Sequence, residues 1–145
     1  KLRSWQMNYQ YNIGCSLNNL KGIREFIRNS LKDQDVPEIE MSAIVLALDE
    51  MCSNLMIHAH HCNPEHMLEL HIEIPKTGKF IFEIIDDGSV FDINEFNEPA
   101  IDNLVHQKRK GGLGIRLVKA IMDDVEYLKR SNKNVCRLTK VVRPE

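Results

Sequence analysis

The chain has 145 residues, of which 43% are hydrophobic and 28% charged, and its formal net charge is -2 at pH 7. That length supports one domain with its own core, and a balance so near neutral gives no electrostatic footprint for nucleic acid. The longest apolar runs, around residues 43–48 and 80–85, are too short to span a bilayer. No charged-then-apolar leader is visible, so a cytoplasmic protein without membrane attachment is expected.

Residues 7–13 alternate weakly and read as a first strand. Ser16 is a plausible N-cap for a helix reaching Leu31, with Leu20, Ile23, Phe26, Ile27 and Leu31 at helical spacing. Residues 33–37 break it, and Pro37 suits the first turn of a second helix, expected over 38–61 and ending before Asn63-Pro64. Residues 67–74 alternate strictly, with Leu68, Leu70, Ile72 and Ile74 on one side. A Lys76-Thr77-Gly78 turn then leads to a partner strand at 80–85. Residues 92–109 are polar and less periodic, and read as a mobile, partly helical connection. A third helix follows Gly114, and strands at 125–128 and 134–142 close the chain around a turn at 131–133. The order β-α-α-β-β-loop-α-β-β predicts an α/β two-layer sandwich, with helices on one face of a mostly antiparallel sheet.

The four cysteines show no CxxC spacing and are expected to be free thiols. His58, His60, His61, Cys62 and His66 crowd together, but no second pair has zinc-ligand spacing, so they read as structural histidines rather than a metal cluster.

Three constellations could carry chemistry. Glu50, Asn54 and His58 are four apart and would stack along one helix face. A carboxylate there could serve as a general base, and a carboxamide oxygen suits Mg²⁺; the plain alternative is a solvated helix face. Asp86-Asp87-Gly88 follows an apolar strand. Its carboxylate could accept a hydrogen bond from an exocyclic amine, with Gly88 leaving room for a flat ring, although Asp-Gly is also an ordinary turn. Gly111-Gly112-Leu113-Gly114 precedes a helix, where bare N–H groups favour a phosphate. Here the alternative is a simple loop and cap, since neither GxxxxGK[ST] nor a full GxGxxG is present.

Taken in order, Glu50-x-x-x-Asn54-x-x-x-His58-Ala59, Asp86-x-Gly88-x-x-Phe91-Asp92 and Gly111-Gly112-Leu113-Gly114-Ile115 resemble the GHKL (histidine kinase-like, or Bergerat) ATPase superfamily. Within it the chain is most similar to the anti-sigma factor serine/threonine kinases, over about residues 7–140. The resemblance implies a single ATPase domain over 1–145 with an ATP lid at 93–110. It implies ATP and Mg²⁺ as cofactors, with Asn54 as the metal ligand and Glu50 as the base for the attacking hydroxyl. Asp86, rather than Asp87, would bind the adenine amine, with Gly88 beside the base. Gly111, Gly112, Leu113 and Gly114 would wrap the phosphates, His58 would line the pocket, and Thr139 would lie near the adenine. The implied partners are a small anti-sigma factor antagonist protein, as phosphoryl acceptor, and a sigma factor, with a homodimer possible in the family. Val90 stands where the family usually has a small residue, and Arg109 has no arginine companion in the lid. A nucleotide-gated switch that sequesters a partner without phosphorylating it is the alternative. A histidine-kinase output domain is disfavoured, because no companion helix with a phospho-accepting His is apparent.

Overall fold

The computed structural model describes residues 7–74, 78–88, 92 and 114–142. Five strands, β1 (Met7–Gly14), β2 (Met67–Ile74), β3 (Lys79–Asp87), β4 (Asp124–Arg130) and β5 (Lys133–Val141), form one sheet in the order β1-β2-β3-β5-β4. Every neighbouring pair is antiparallel. Helices α1 (Leu20–Leu31), α2 (Glu38–Asn54) and α3 (Gly114–Ile121) cover one face, giving the expected two-layer arrangement.

Alternation decides which side chains meet the helices. Leu70 pairs with Ile84, Ile72 with Phe82, Phe82 with Leu138 and Ile84 with Cys136. All six are buried beneath Ile23 and Ile27 of α1, and Ile44, Leu48 and Met51 of α2. Tyr11 of β1 stacks on Phe26 of α1, ring centroids 5.0 Å apart. The opposite face carries Glu69, Glu73, Glu83, Glu126 and Arg137 and has no helical cover among the described residues.

The helix ends show how the chain enters and leaves this layer. Ser16 caps a 3-10 turn (Leu17–Asn19) by accepting from the Asn18 N–H, so α1 proper begins later than the Ser16 signal predicts. Pro37 stands at the N-cap of α2, and the Met41 N–H closes the first turn on its carbonyl at 2.8 Å. Glu38 and Glu40 then occupy the first turn, where the helix dipole favours acids. At the far end, Lys140 donates to the Ile121 carbonyl at 2.9 Å and fastens the last turn of α3 to β5.

The second helix departs from the sequence expectation. Regular α geometry stops at Asn54, and residues Leu55–Ala59 form a π turn in which the His60 N–H reaches the Leu55 carbonyl at 3.0 Å. His61 and Cys62 then adopt left-handed backbone, with φ of 53° and 56°. The widened turn changes the side-chain phase, so the even spacing of Glu50, Asn54 and His58 does not continue as one α-helical stripe. Among the described residues no helix is long and apolar enough to cross a membrane.

Candidate functional site

Glu50 and Asn54 occupy the last turns of α2, 6% and 3% exposed, surrounded by core. Asn54 Nδ2 donates to the Glu50 backbone carbonyl at 2.8 Å. That bond engages the amide nitrogen, so the carboxamide oxygen is the group left to accept. Asp49, next in the chain, belongs elsewhere: Arg24 of α1 holds it at 2.8 Å.

Gly114, the first residue of α3, lies directly on this pair. A Cβ built there would stand 2.5 Å from Glu50 Oε1, 3.1 Å from Asn54 Nδ2 and 3.3 Å from Glu50 Cβ. Glycine lets α3 begin this close to the polar end of α2 without displacing the Glu50 carboxylate. Two segments separated by about sixty residues thus meet at their chemistry-bearing positions. Gly111, Gly112, Leu113 and the 93–110 segment lie outside the described residues, as do Val90 and Phe91.

Asp86 shares the parity of Phe80, Phe82 and Ile84, so it faces the helix layer and is 7% exposed, whereas Asp87 faces away and is exposed. Asp86 Oδ2 lies 2.6 Å from His60 Nε2, and Oδ1 accepts from Asn134 Nδ2 at 2.7 Å. Asn134 is its cross-strand partner on β5, and both partners are 1% exposed. Neither His60 nor Asn134 stands out in the sequence as a site residue. His60 is reached through the π turn, and Asn134 through pairing between strands that are not consecutive.

One expectation changes. Thr139 is buried, but it pairs with Ile81 and shares that residue's parity, so it faces the uncovered side of the sheet with Glu83 and Arg137. It is not brought to Asp86; Asn134 occupies the β5 position that is. His58 is half-buried on the widened turn, and His60, two residues on, is the histidine that reaches the carboxylate. Gly88 has a further reason to be glycine: a Cβ there would collide with the Asn132 carbonyl. Asn132 belongs to the two-residue β4–β5 turn, where Ser131 and Asn132 both have positive φ.

All four cysteines are free. Burial, chiefly, pushes the Cys15 thiol up to about 12 and raises Cys52 further, so neither is a ready nucleophile. Among the described residues no group of three or more His, Cys, Asp and Glu is arranged to hold a metal by itself. A cation carried by phosphates needs fewer protein ligands, and the Asn54 carboxamide, whose nitrogen is taken by the Glu50 carbonyl, has an oxygen of the type that suits such an ion.

Comparison with known proteins bears on the same segments. The histidine kinase-like ATPase domain matches residues 15–140. The chain belongs to that family. It is 27% identical over 103 residues to the serine/threonine-protein kinase BtrW of Bordetella bronchiseptica, covering 70% of this chain and 71% of the relative. It is 30% identical over 108 residues to the serine-protein kinase RsbW of Halalkalibacterium halodurans, covering 72% of this chain and 64% of the relative. It is also 28% identical over 96 residues to the anti-sigma F factor of Oceanobacillus iheyensis, covering 65% of this chain and 64% of the relative. The fold is shared with the RsbU and RsbW domains of Rv1364c from Mycobacterium tuberculosis, at a TM-score of 0.65 and 14% identity over 95% of this chain and 33% of that one. The crystal structure of the SiaB–SiaC complex from Pseudomonas aeruginosa gives 0.61 and 13%, over 94% of this chain and 90% of the other.

Proposed function

We propose that this chain is an ATP- and Mg²⁺-dependent protein serine/threonine kinase that acts as an anti-sigma regulator and phosphorylates a small antagonist protein. The observation that carries this reading is the seat of Gly114 on Glu50 and Asn54, which joins the glycine-loop end, a candidate base and a candidate metal ligand in one place. The names of the sequence relatives support the kinase assignment, and the complex in which the SiaB fold was solved supports a protein partner.

In this reading Glu50 takes the proton from the attacking hydroxyl of the substrate protein, and burial beside Gly114 keeps competing water from it. Asn54 would hold a Mg²⁺, whose charge offsets that of the phosphates when bound. The opening N–H groups of α3 face the same region and favour an anion there. Asp86 accepts a hydrogen bond from the amino group of adenine. Catalysis then rests on positioning and charge rather than on a covalent intermediate.

The test is phosphoryl transfer from labelled ATP to candidate antagonist proteins, with Glu50→Gln and Asn54→Ala alongside. Glu50→Gln should retain nucleotide binding and lose transfer, while Asn54→Ala should lose Mg²⁺-dependent binding. Wild-type protein that binds ATP but labels no antagonist would instead favour a nucleotide-gated switch that sequesters its partner.

A further inference from the structure

Asp86 is the end of a hydrogen-bond chain that starts near the surface. Asn63 Oδ1 accepts from the Glu65 N–H at 2.9 Å, which turns its Nδ2 toward His66 Nε2 at 3.3 Å. His66 Nδ1 lies 3.1 Å from His60 Nδ1, the two rings inclined at 71° with centroids 5.1 Å apart. His60 Nε2 lies 2.6 Å from Asp86 Oδ2.

One proton arrangement satisfies every link. Asn63 can only donate through Nδ2, so His66 Nε2 accepts and its Nδ1 carries the proton. His60 Nδ1 therefore accepts, which places the His60 proton on Nε2, aimed at Asp86. Asn134 donates to the other carboxylate oxygen. A carboxylate offers about four lone-pair directions, so two remain after these bonds. Both occupied directions are set by side chains that are 1% exposed and cannot swing away.

Resting on the assignment of Asp86 as the base-reading group, we propose that His60 is its positioning residue. His60 is held in the Nε2–H tautomer by His66 and orients the carboxylate so that its remaining lone pairs meet the 6-amino group of a purine. His60 does not touch the nucleotide. Its effect is selectivity for the amino group, distinct from phosphate binding or phosphoryl transfer.

The probe pair is ATP and purine riboside triphosphate, which differ only in the 6-amino group. Wild-type protein should bind ATP about 10- to 100-fold more tightly, the range for a hydrogen bond to a charged acceptor. His60→Phe, which keeps the ring and removes the donor, should reduce that ratio to about threefold or less by weakening ATP alone. His60→Gln, which can still donate, should recover part of it. His66→Phe, at the half-buried end of the chain, should give an intermediate ratio. A wild-type ratio in folded His60→Phe, alongside a collapsed ratio in Asp86→Asn, overturns the role of His60 alone. An unchanged ratio in Asp86→Asn overturns the base-reading assignment and this inference with it. A readout on the unmodified, nucleotide-free protein covers the case in which His60→Phe does not fold. Long-range ¹H–¹⁵N spectra should show His60 protonated on Nε2 and His66 on Nδ1; His60 protonated on Nδ1 alone overturns the proposal.

Discussion

Glu83 and Asp86 are three residues apart on β3, on opposite faces of the sheet, and each is held by two side chains. Glu83, on the uncovered face, is shared by Arg130 at 2.5 Å and Arg137 at 2.9 Å, and Arg137 reaches on to Glu126. Burial alone would raise its carboxyl, but the hydrogen bonds and charges of the two arginines together outweigh it and hold the group below its ordinary 4.5. Asp86, on the covered face, has an uncharged amide on one oxygen and an imidazole on the other. The guanidiniums neutralise Glu83 and occupy its lone pairs. The partners of Asp86 fix its direction and leave acceptor capacity for something else. A carboxylate that staples strands and one that can read a ligand are therefore told apart by what surrounds them, not by residue type.

The sharpest way to break this contrast is at the covered face. Gly114→Ala pushes a methyl group against the far end of the Glu50 side chain, which can move, so the fold should survive while the carboxylate is displaced. Antagonist phosphorylation should fall by about 100-fold, the scale of an ångström-sized misplacement, with thermal unfolding little changed. A normal rate in this variant would sink the role of the Gly114 seat. Next comes Asn134→Ala, which leaves a buried carboxylate oxygen short of a donor and should cost about 1–3 kcal/mol in urea unfolding. On the uncovered face, Glu83→Gln should cost about 1 kcal/mol or less, because its arginine partners are partly exposed. Since the folded Glu83 lies below 4.5, its contribution is complete above that value and is lost as pH falls through the lower folded value. The wild-type and Glu83→Gln stabilities should therefore converge in acid and at high salt. The smallest effect belongs to Arg28→Ala: the Arg28–Glu38 pair, at 3.2 Å, is exposed on both sides, and unfolding should not shift measurably.

Much of the fold was legible because its signals are local. The strict alternation of Leu68, Leu70, Ile72 and Ile74 and the helical spacing of Ile23, Ile27 and Leu31 each describe a face that must be buried. The meeting of Glu50, Asn54 and Gly114 was foreshadowed by motif order, not by periodicity. The π turn was hidden, since a turn one residue wider leaves the apolar pattern of 55–59 looking helical. The place of Thr139 came from the resemblance alone, and alternation could not have checked it: β5 carries buried apolar side chains on both faces, Val135 on one and Cys136 and Leu138 on the other. The Asp86–Asn134 pair depends on a register between strands that are distant in sequence, which no local pattern reports.

That register also bears on the length of chain between the two strands. The Asp86–Asn134 bond spans 48 positions, and it closes a loop that contains the entire segment between β3 and α3. Closure entropy grows only logarithmically with loop length, so doubling a flexible insertion costs about 0.6 kcal/mol. The cost of closing the Asp86–Asn134 link is therefore nearly insensitive to the number of residues it encloses. A bond that sets the register of β3 and β5 thus places little demand on chain length between them.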